Sequence, residues 1–298
     1  MTSSTKHVAR PSLACEIAAD RVLAGRGSSA GRMVDLCAAR ELAPGTVVPD
    51  LTESNLRDAT AIRAAIESAL GSVGGRSRDV IAILPDTAVR VVLLDFETLP
   101  SKAEEAEAVV RFRLKKSLPF NPDDARVSYH AQPAGTGIRV VAAVVLNSVL
   151  QEYESAFRDA GYNPGVVMPS MLAALGAADA ERPTLVVKVD ARTIGIAILD
   201  QEQLLLFRTL ENVRGITITG EQLSEEVYPS VVFFQDTYSL NIERVYVAGL
   251  PESGGASPAL KAQTGAQVEE LVASSQIGST NGSVPRWRMA GVVGALIS

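Results

Sequence analysis

One order of predicted elements occurs twice along this chain, and that duplication constrains the fold more than any other feature. Three short apolar runs, an amphipathic helix and a buried strand are predicted at residues 13–17, 21–24, 33–38, 56–70 and 80–84. The same order returns at residues 185–189, 194–199, 204–208, 220–238 and 245–248. Because no residue-level repeat accompanies it, the duplication is one of architecture. It predicts two similar α/β lobes facing each other across a cleft in which ligands bind.

The ends of the two predicted helices are marked in different ways. The first helix has Ser54 or Asn55 as its cap and Gly71 as its stop. The second carries a single apolar stripe, which indicates a helix that packs on a core. Pro229 lies inside it and is expected to kink the helix without breaking it.

An inserted module separates the two halves. It opens with a strand at 89–96 and a helix that begins with a capping box from Ser101 to Glu104. Acidic residues crowd the start of this helix and basic residues its end, as the helix dipole favours. We interpret the basic end as a solvated helix terminus rather than an anion site. The remaining predicted elements are strands at 125–132 and 138–146 and a helix from an Asn147 cap to Ala160, ended by Gly161.

Charge and hydropathy exclude several classes of partner. The chain has 28 Lys and Arg against 34 Asp and Glu, a net charge of −6, and only 5% aromatic residues, so nucleic acid is not expected as a partner. The longest apolar runs, at 140–146 and 289–297, fall well short of the roughly 20 residues that a membrane helix needs. The amino terminus has no apolar signal region, and a cytoplasmic location is expected.

The residues that usually carry catalysis are scarce. Only His7 and His130 are present, and the two cysteines, Cys15 and Cys37, form no metal-binding or redox motif, so buried thiols are expected. No P-loop motif occurs. The stretch Gly25–Ala30 formally fits G-x-G-x-x-A, but an extended pattern follows it where a dinucleotide site needs a helix, so it predicts a mobile loop between strands.

Several motifs resemble those of the type IV pilus assembly protein PilM family, and they run from about Ser12 to Leu296. The most specific is a helix in which Ala108-Val109-Val110-Arg111-Phe112-Arg113 and then Leu118-Pro119-Phe120 match the family pattern, although the family's usual Glu is Arg113 here. The other matching segments are 81–85, 97–100, 191–197, 220–223, 245–249 and 289–296, together with Tyr129. The chain is thus similar to a shortened member of this family.

The resemblance implies an α/β fold of the actin-like, ribonuclease H-like kind, with duplicated lobes facing a cleft and an inserted α+β subdomain in the first half. It also implies a cytoplasmic protein that docks the amino-terminal cytoplasmic peptide of an inner-membrane pilus protein, PilN, and meets the membrane only through that partner. The expected domains are a flexible tail at 1–11, a first lobe at 12–84, an inserted partner-binding subdomain at 85–165, a connecting helix at 166–183 and a second lobe with a reduced outer subdomain at 184–298.

ATP binding is the second property that the resemblance implies, and the aligned residues depart from it. The family's first phosphate loop reads D-I-G-S, where the chain has Glu16, Ile17, Ala18, Ala19 and Asp20. Ala18 replaces a glycine whose missing Cβ lets main-chain N–H groups approach a phosphate. A carboxylate remains at Glu16, one methylene longer than the family's Asp.

The second phosphate loop departs in the same way, because the family's D-I-G aligns with Lys188, Val189 and Asp190. We interpret Lys188 as a lysine at a strand edge, with a cation against a phosphate as the alternative. The adenosine-side Gly249 persists, followed by Leu250 rather than a second glycine. The stretch from 208 to 244 holds one helix and little else, so most of an outer lobe that would close on ribose and base is missing. These departures predict a pocket that binds nucleotide poorly.

The sequence therefore predicts a non-catalytic scaffold without a cofactor, in which Leu118, Pro119 and Phe120 of the inserted module bind the partner peptide. The alternative role for Leu118 and Phe120 is closing the module's own core. The alternative for the whole protein is a working ATPase, with Glu16 and Asp190 holding Mg²⁺ beside ATP. A third reading is the actin-like cytoplasmic component of a type II secretion system, disfavoured because no membrane helix follows in the chain. Self-association is left open.

Overall fold

The computed structural model describes residues 10–28, 31, 33–251, 255–278 and 284–298. In chain order the strands are β1 (Leu13–Ile17), β2 (Arg21–Gly27), β3 (Val34–Glu41), β4 (Asp79–Leu84), β5 (Arg90–Phe96), β6 (Ala125–Ala134), β7 (Gly137–Leu146), β8 (Asn163–Pro169), β9 (Thr184–Val189), β10 (Thr193–Asp200), β11 (Gln203–Glu211), β12 (Arg244–Ala248) and β13 (Gln267–Glu270). The helices are α1 (Ala59–Val73), α2 (Ala103–Leu114), α3 (Asn147–Asp159), α4 (Ser170–Leu175), α5 (Gly220–Tyr238), α6 (Ser257–Thr264) and α7 (Ala290–Ile297).

Two five-stranded sheets with the same internal order confirm the predicted duplication. The first has the order β3-β2-β1-β4-β8 and the second β11-β10-β9-β12-β13. In each, the first three strands of the repeat are antiparallel and the fourth joins the central strand in parallel. The central strands β1 and β9 are buried along their whole length, as strands covered on both faces should be. Gly25 and Gly27 belong to β2, which corrects the predicted loop there, while Ser29 and Ala30 lie outside the described residues.

Helix α1 starts later than its sequence pattern predicts. Asp58 is its N-cap and accepts a hydrogen bond from the main-chain N–H of Ala61, and Gly74 is the C-cap that follows its last residue, Val73. Asn55 cannot cap it, because its side chain is buried and already hydrogen-bonded to the main chain of Asp50 and to the hydroxyl of Tyr153. Gly71 lies within the helix and does not stop it.

Helix α5 has the predicted bounds and continues through Pro229. A capping box starts it, in which Thr219 accepts from the main-chain N–H of Gln222 and the Gln222 side chain accepts from the main-chain N–H of Thr219. The buried side of the helix, which includes Leu223, Val227 and Phe234, packs into the core of the second lobe. The apolar stripe identified in the sequence therefore belongs to the hydrophobic core of the second lobe.

The inserted module is a three-stranded sheet of order β5-β7-β6 that packs against α2. Its helix has no side-chain cap, so the predicted capping box at Ser101 does not form, and neither does the Asn147 cap of α3. The module ends at Leu146, because α3 packs into the core of the first lobe and β8 joins the first sheet. The predicted boundary at residue 165 is therefore wrong.

The two lobes share a core. Helices α4 and α7 pack against each other, and their apolar residues join side chains of both sheets in one buried cluster that includes Ala14, Ile81, Val186 and Tyr246. The inserted module also contacts the second lobe, because the side chain of Gln132 exchanges two hydrogen bonds with the main chain of Leu204. Of the predicted amino-terminal tail, residues 1–9 lie outside the described residues.

Candidate functional site

The site lies where the central strands of the two sheets end. Glu16 is the penultimate residue of β1, and Lys188 holds the same position in β9. Each strand turns back after one further residue, and the turns are closed alike: the main-chain N–H of Ala18 donates to Arg21, and that of Asp190 donates to Thr193. The two turns are thus equivalent halves of the duplication, and they face each other across the cleft.

Lys188 bridges the two lobes. Its ammonium contacts the carboxylate of Asp190 on its own strand end and lies 3.8 Å from Oε1 of Glu16 in the other lobe. Lys188 and Asp190 reach the same side because residues two apart in a strand share a face. Since β9 is the buried centre of its sheet, the interpretation of Lys188 as a lysine at a strand edge is wrong.

A second buried cation completes the cluster. Arg21, the first residue of β2, is 3% exposed, and its guanidinium lies 2.8 Å from the carboxylate of Asp20 and 3.5 Å from that of Asp190. The hydroxyl of Ser170 donates to Oε1 of Glu16, whereas Oε2 of Glu16 is buried without a hydrogen-bond partner among the described residues. Both cations are therefore committed to carboxylates of the protein itself.

The pKa values of the cluster reflect burial and this pairing. Burial raises the pKa of Glu16, and the positive charge of Lys188 opposes that rise. Burial alone would lower the pKa of Lys188, but Asp190 and Glu16 outweigh it and raise that pKa. The pKa of Asp190 is lowered, because Lys188 and Arg21 together outweigh its burial. Lys188 thus stays charged and Asp190 ionised.

Asp86 is a further buried carboxyl at this end of the first sheet. It comes two residues after the end of β4, is 6% exposed and accepts a hydrogen bond of 2.8 Å from the main-chain N–H of Met171. Burial raises its pKa to about 7, with Lys188 opposing the rise. Lys188 and Arg21 are thus surrounded by acidic groups of the protein itself, which leaves little positive charge to attract a phosphate.

Two glycines allow the close approaches that build the site. A Cβ on Gly291, in the first turn of α7, would lie 2.6 Å from Oε2 of Glu16, so this glycine leaves room for the carboxylate. Gly249 follows β12 with φ +85°, and a Cβ there would lie 1.7 Å from the carbonyl oxygen of Val189. Its main-chain N–H donates to Trp287. At both positions a Cβ would clash with a neighbouring residue of the site, so only glycine fits.

The space left between the two turns is small. The cavity bounded by Glu16, Ala18, Ala19, Asp20 and Asp190, together with residues 85–87, Ser170 and the second-lobe turn 191–193, encloses about 30 Å³. Ligand pockets for small molecules generally measure several hundred Å³. Within the described residues no cluster of three or more histidine, cysteine or acidic side chains is arranged to hold a metal ion. Lys188 lies against Glu16 and Asp190, the two carboxylates that an Mg²⁺ would need, so the residues do not fit Mg-ATP.

The structure places the predicted partner-binding residues at the end of α2, outside this cluster. Leu118 and Phe120 are half-buried and pack against the core of the inserted module, and Pro119 between them is exposed. Arg111 of the basic helix end is paired with Glu107 and donates to the carbonyl of Pro122. None of these residues contacts the cleft.

Sequence reasoning missed Arg21, Asp86 and Ser170. Arg21 begins β2, and Asp86 and Ser170 follow the ends of β4 and β8. All three lie at the edge of the sheet where the carboxyl ends of the parallel strands meet, which is where α/β folds bind ligands. That position alone was a signal for Asp86, which comes two residues after the apolar run of β4. The pairing of Arg21 across the cleft had no signal in the sequence.

Known structures resemble the whole chain, although no protein-family model matches it and no curated protein matches it by sequence. The chain is similar to a structure of the PilM-PilN type IV pilus biogenesis complex, with a TM-score of 0.77 at 19% identity over 97% of this chain and 98% of that one. It is also similar to the cytoplasmic domain of EpsL, an inner membrane component of the type II secretion system of Vibrio cholerae, with a TM-score of 0.55 at 12% identity over 96% and 94% of the two chains.

These likenesses establish the fold. The protein has the actin-like architecture, with two α/β lobes, a cleft between them and an inserted subdomain in the first, as the sequence predicted. In the ranges that the structure describes, no helix is both long and apolar enough to cross a membrane.

Proposed function

We propose that this protein is a cytoplasmic scaffold of a type IV pilus assembly platform, and that its cleft no longer takes nucleotide. In this role it binds the amino-terminal cytoplasmic peptide of an inner-membrane pilus assembly protein and reaches the membrane through that partner. The fold likeness to the PilM-PilN complex supports the pilus assignment.

One observation carries the loss of nucleotide: the ammonium of Lys188 contacts carboxylates of both lobes at the place where the phosphates and their metal would sit. A tethered cation on the protein neutralises the acidic groups that would otherwise bind Mg²⁺. The cavity of about 30 Å³ beside it has room for little more than a water molecule. The cleft is therefore a structural joint between the lobes.

Titration calorimetry with Mg-ATP tests this half of the proposal. We expect no binding tighter than the millimolar range, about −4 kcal/mol. The double variant Ala18→Gly with Lys188→Asp restores the family's residue types in the two phosphate loops. If this variant binds Mg-ATP, the loop residues account for the weak binding. If it does not, the missing outer lobe is the larger defect. Micromolar binding by the natural protein, with ATP turnover, would instead identify a working ATPase in which Glu16 and Asp190 hold the metal.

Binding of the partner peptide tests the other half. The probe is the amino-terminal cytoplasmic peptide of a PilN-like inner-membrane pilus protein. A dissociation constant in roughly the micromolar range, about −8 kcal/mol, and unchanged by Mg-ATP, is expected of a disordered peptide that orders on docking. If Mg-ATP changed the dissociation constant of the peptide tenfold or more, the cleft and the peptide-binding site would be coupled, and the protein would be a switch.

A role in a type II secretion system is the second candidate, and the likeness to the EpsL cytoplasmic domain favours it. The two systems are separated by the partner. If the peptide of a secretion-system membrane protein binds and the pilus peptide does not, the second candidate replaces the first.

A further inference from the structure

A large groove lies away from the cleft, between the inserted module and the second lobe. It has a volume of about 680 Å³ and is bounded by β5, β11 and α5. A smaller groove of about 370 Å³ continues it toward the first lobe and shares Arg90, Val91, Phe207 and Arg208 with it. Neither groove includes Glu16, Lys188 or the Leu118–Phe120 segment.

Two strand edges form the sides of this groove. Consecutive residues line it from each strand, 90–93 of β5 and 205–208 of β11. Side chains alternate between faces along a strand, so a wall made of consecutive residues is a main-chain edge with its N–H and C=O groups. Both strands are the last in their sheets, and among the described residues neither outer edge is hydrogen-bonded to another strand. The two strands nevertheless approach within 8 Å between Cα atoms, whereas a strand added between them would need about 9.5 Å. A peptide bound here is therefore held by its side chains along the groove.

The third side of the groove is an apolar face of α5. Phe233 is 55% exposed there, beside Pro229 and Tyr238, and Phe207 reaches the groove from β11. A large aromatic side chain left half in solvent within a concave surface is typical of a binding site. The apolar side chains of a bound peptide would pack on these rings.

The charge of the groove selects the peptide. Arg90 and Arg208 both line it, and among the described residues neither is paired with a carboxylate; Arg208 only donates to the hydroxyl of Ser230, at 3.3 Å. Arg139 is already paired with Asp95 and fixes the wall by donating to Tyr238. Two uncommitted guanidinium groups in a protein of net charge −6 favour a ligand with carboxylates.

We propose that this groove docks an extended acidic peptide of another protein, with glutamate or aspartate residues alternating with apolar ones. The peptide lies along the groove, its carboxylates pair with Arg90 and Arg208, and its apolar side chains pack on Phe207 and Phe233. The interaction is separate from the partner site at the end of α2, and it does not depend on the pilus assignment.

Fluorescence anisotropy with the intact protein tests the proposal. The probe is a fluorescein-labelled ten-residue peptide in which glutamate alternates with valine, leucine or phenylalanine, and its counterpart carries lysine in place of glutamate. We expect the acidic peptide to bind at least tenfold more tightly than the basic one. Binding should weaken severalfold between low and high salt, because ion pairs carry part of it. Equal binding of the two peptides would overturn the proposal.

Matched variants locate the site. Arg90→Glu and Arg208→Glu should each weaken binding at least fivefold, and Phe233→Ser should weaken it without changing the salt dependence. Arg126→Glu is the control: Arg126 is exposed on β6, at the opposite edge of the same sheet, and has no ion pair in the described structure. If Arg126→Glu weakens binding as much as Arg90→Glu, the effect is general electrostatics and the groove is not the site.

Discussion

Glu16 and Lys188 occupy equivalent positions in the two halves of a duplicated fold, and they are ion-paired across the cleft, with 3.8 Å between Oε1 and Nζ and both side chains 4% exposed. Each is the penultimate residue of the central strand of its sheet. In a duplicated site with identical acidic loops these positions would carry like charges that repel without a metal ion between them. Because Glu16 and Lys188 carry opposite charges, no metal ion is needed between them, and their ion pair joins the two lobes directly.

Removing the buried cation should destabilise the protein strongly. Lys188→Met leaves Glu16 and Asp190 with less compensation in a buried site, and breaking a buried ion pair costs about 3–5 kcal/mol. Guanidinium denaturation measures the loss. Lys102→Met is the control, because that lysine is exposed and its pair with Glu105 lies on the surface.

Adding Glu16→Gln to Lys188→Met should recover part of the lost stability, since the unpaired carboxylate is then neutral while Asp190 keeps Arg21. A double-mutant cycle isolates that coupling. If the changes in unfolding free energy caused by the two substitutions were simply additive, Glu16 and Lys188 would not interact.

Asp86 should make stability fall as pH rises toward neutrality. Its pKa is about 7 in the folded protein against an ordinary value of 3.8, so between these pH values the folded state holds a proton that the unfolded state has lost. Stability from this group is complete below about pH 4 and declines with a slope of at most about 1.4 kcal/mol per pH unit, until the decline ends above pH 7.

Asp86→Asn should remove this slope while keeping the oxygen that accepts from Met171. The measurement is the difference in unfolding free energy between the two proteins from pH 4 to 8, in which the contributions of Glu16 and Asp190 largely cancel. Asp123→Asn, an exposed position, is the control and should leave the profile unchanged. Parallel profiles for the natural protein and Asp86→Asn would contradict the assignment.

The parts of the structure that local pattern determines were predictable. The bounds of β1 and α5 agree with the pattern, because β1 is a short run buried on both faces and α5 presents one apolar stripe to the core of the second lobe. The start of α1 was not predictable, since Asn55, a good cap by type, bonds Tyr153 of a distant helix. The residue types of the cleft loops were visible in the sequence. Their pairing was not, because it depends on how the two lobes pack.

Phe120→Ala should lower the melting temperature by several degrees. The side chain packs in the core of the inserted module, where truncation of a partly buried aromatic ring costs about 2 kcal/mol or more. Phe112→Ala is a matched control, because Phe112 belongs to the same module and is 67% exposed. Loss of partner binding in Phe120→Ala with an unchanged melting temperature would instead assign Phe120 to the peptide groove.

Gly249→Ala should destabilise the protein far more than its backbone conformation alone requires. Gly249 and Gly45 have nearly the same φ, +85° and +82°, but a Cβ on Gly45 meets nothing within 4 Å whereas one on Gly249 would lie 1.7 Å from the carbonyl oxygen of Val189. Gly45→Ala therefore measures the cost of the left-handed conformation, about 1–2 kcal/mol. Gly249→Ala adds the displacement of Val189 and should cost at least about 4 kcal/mol, in the range of severe core defects. Chemical denaturation of both variants makes the comparison, and equal losses would mean that the turn beside Lys188 and Asp190 moves freely.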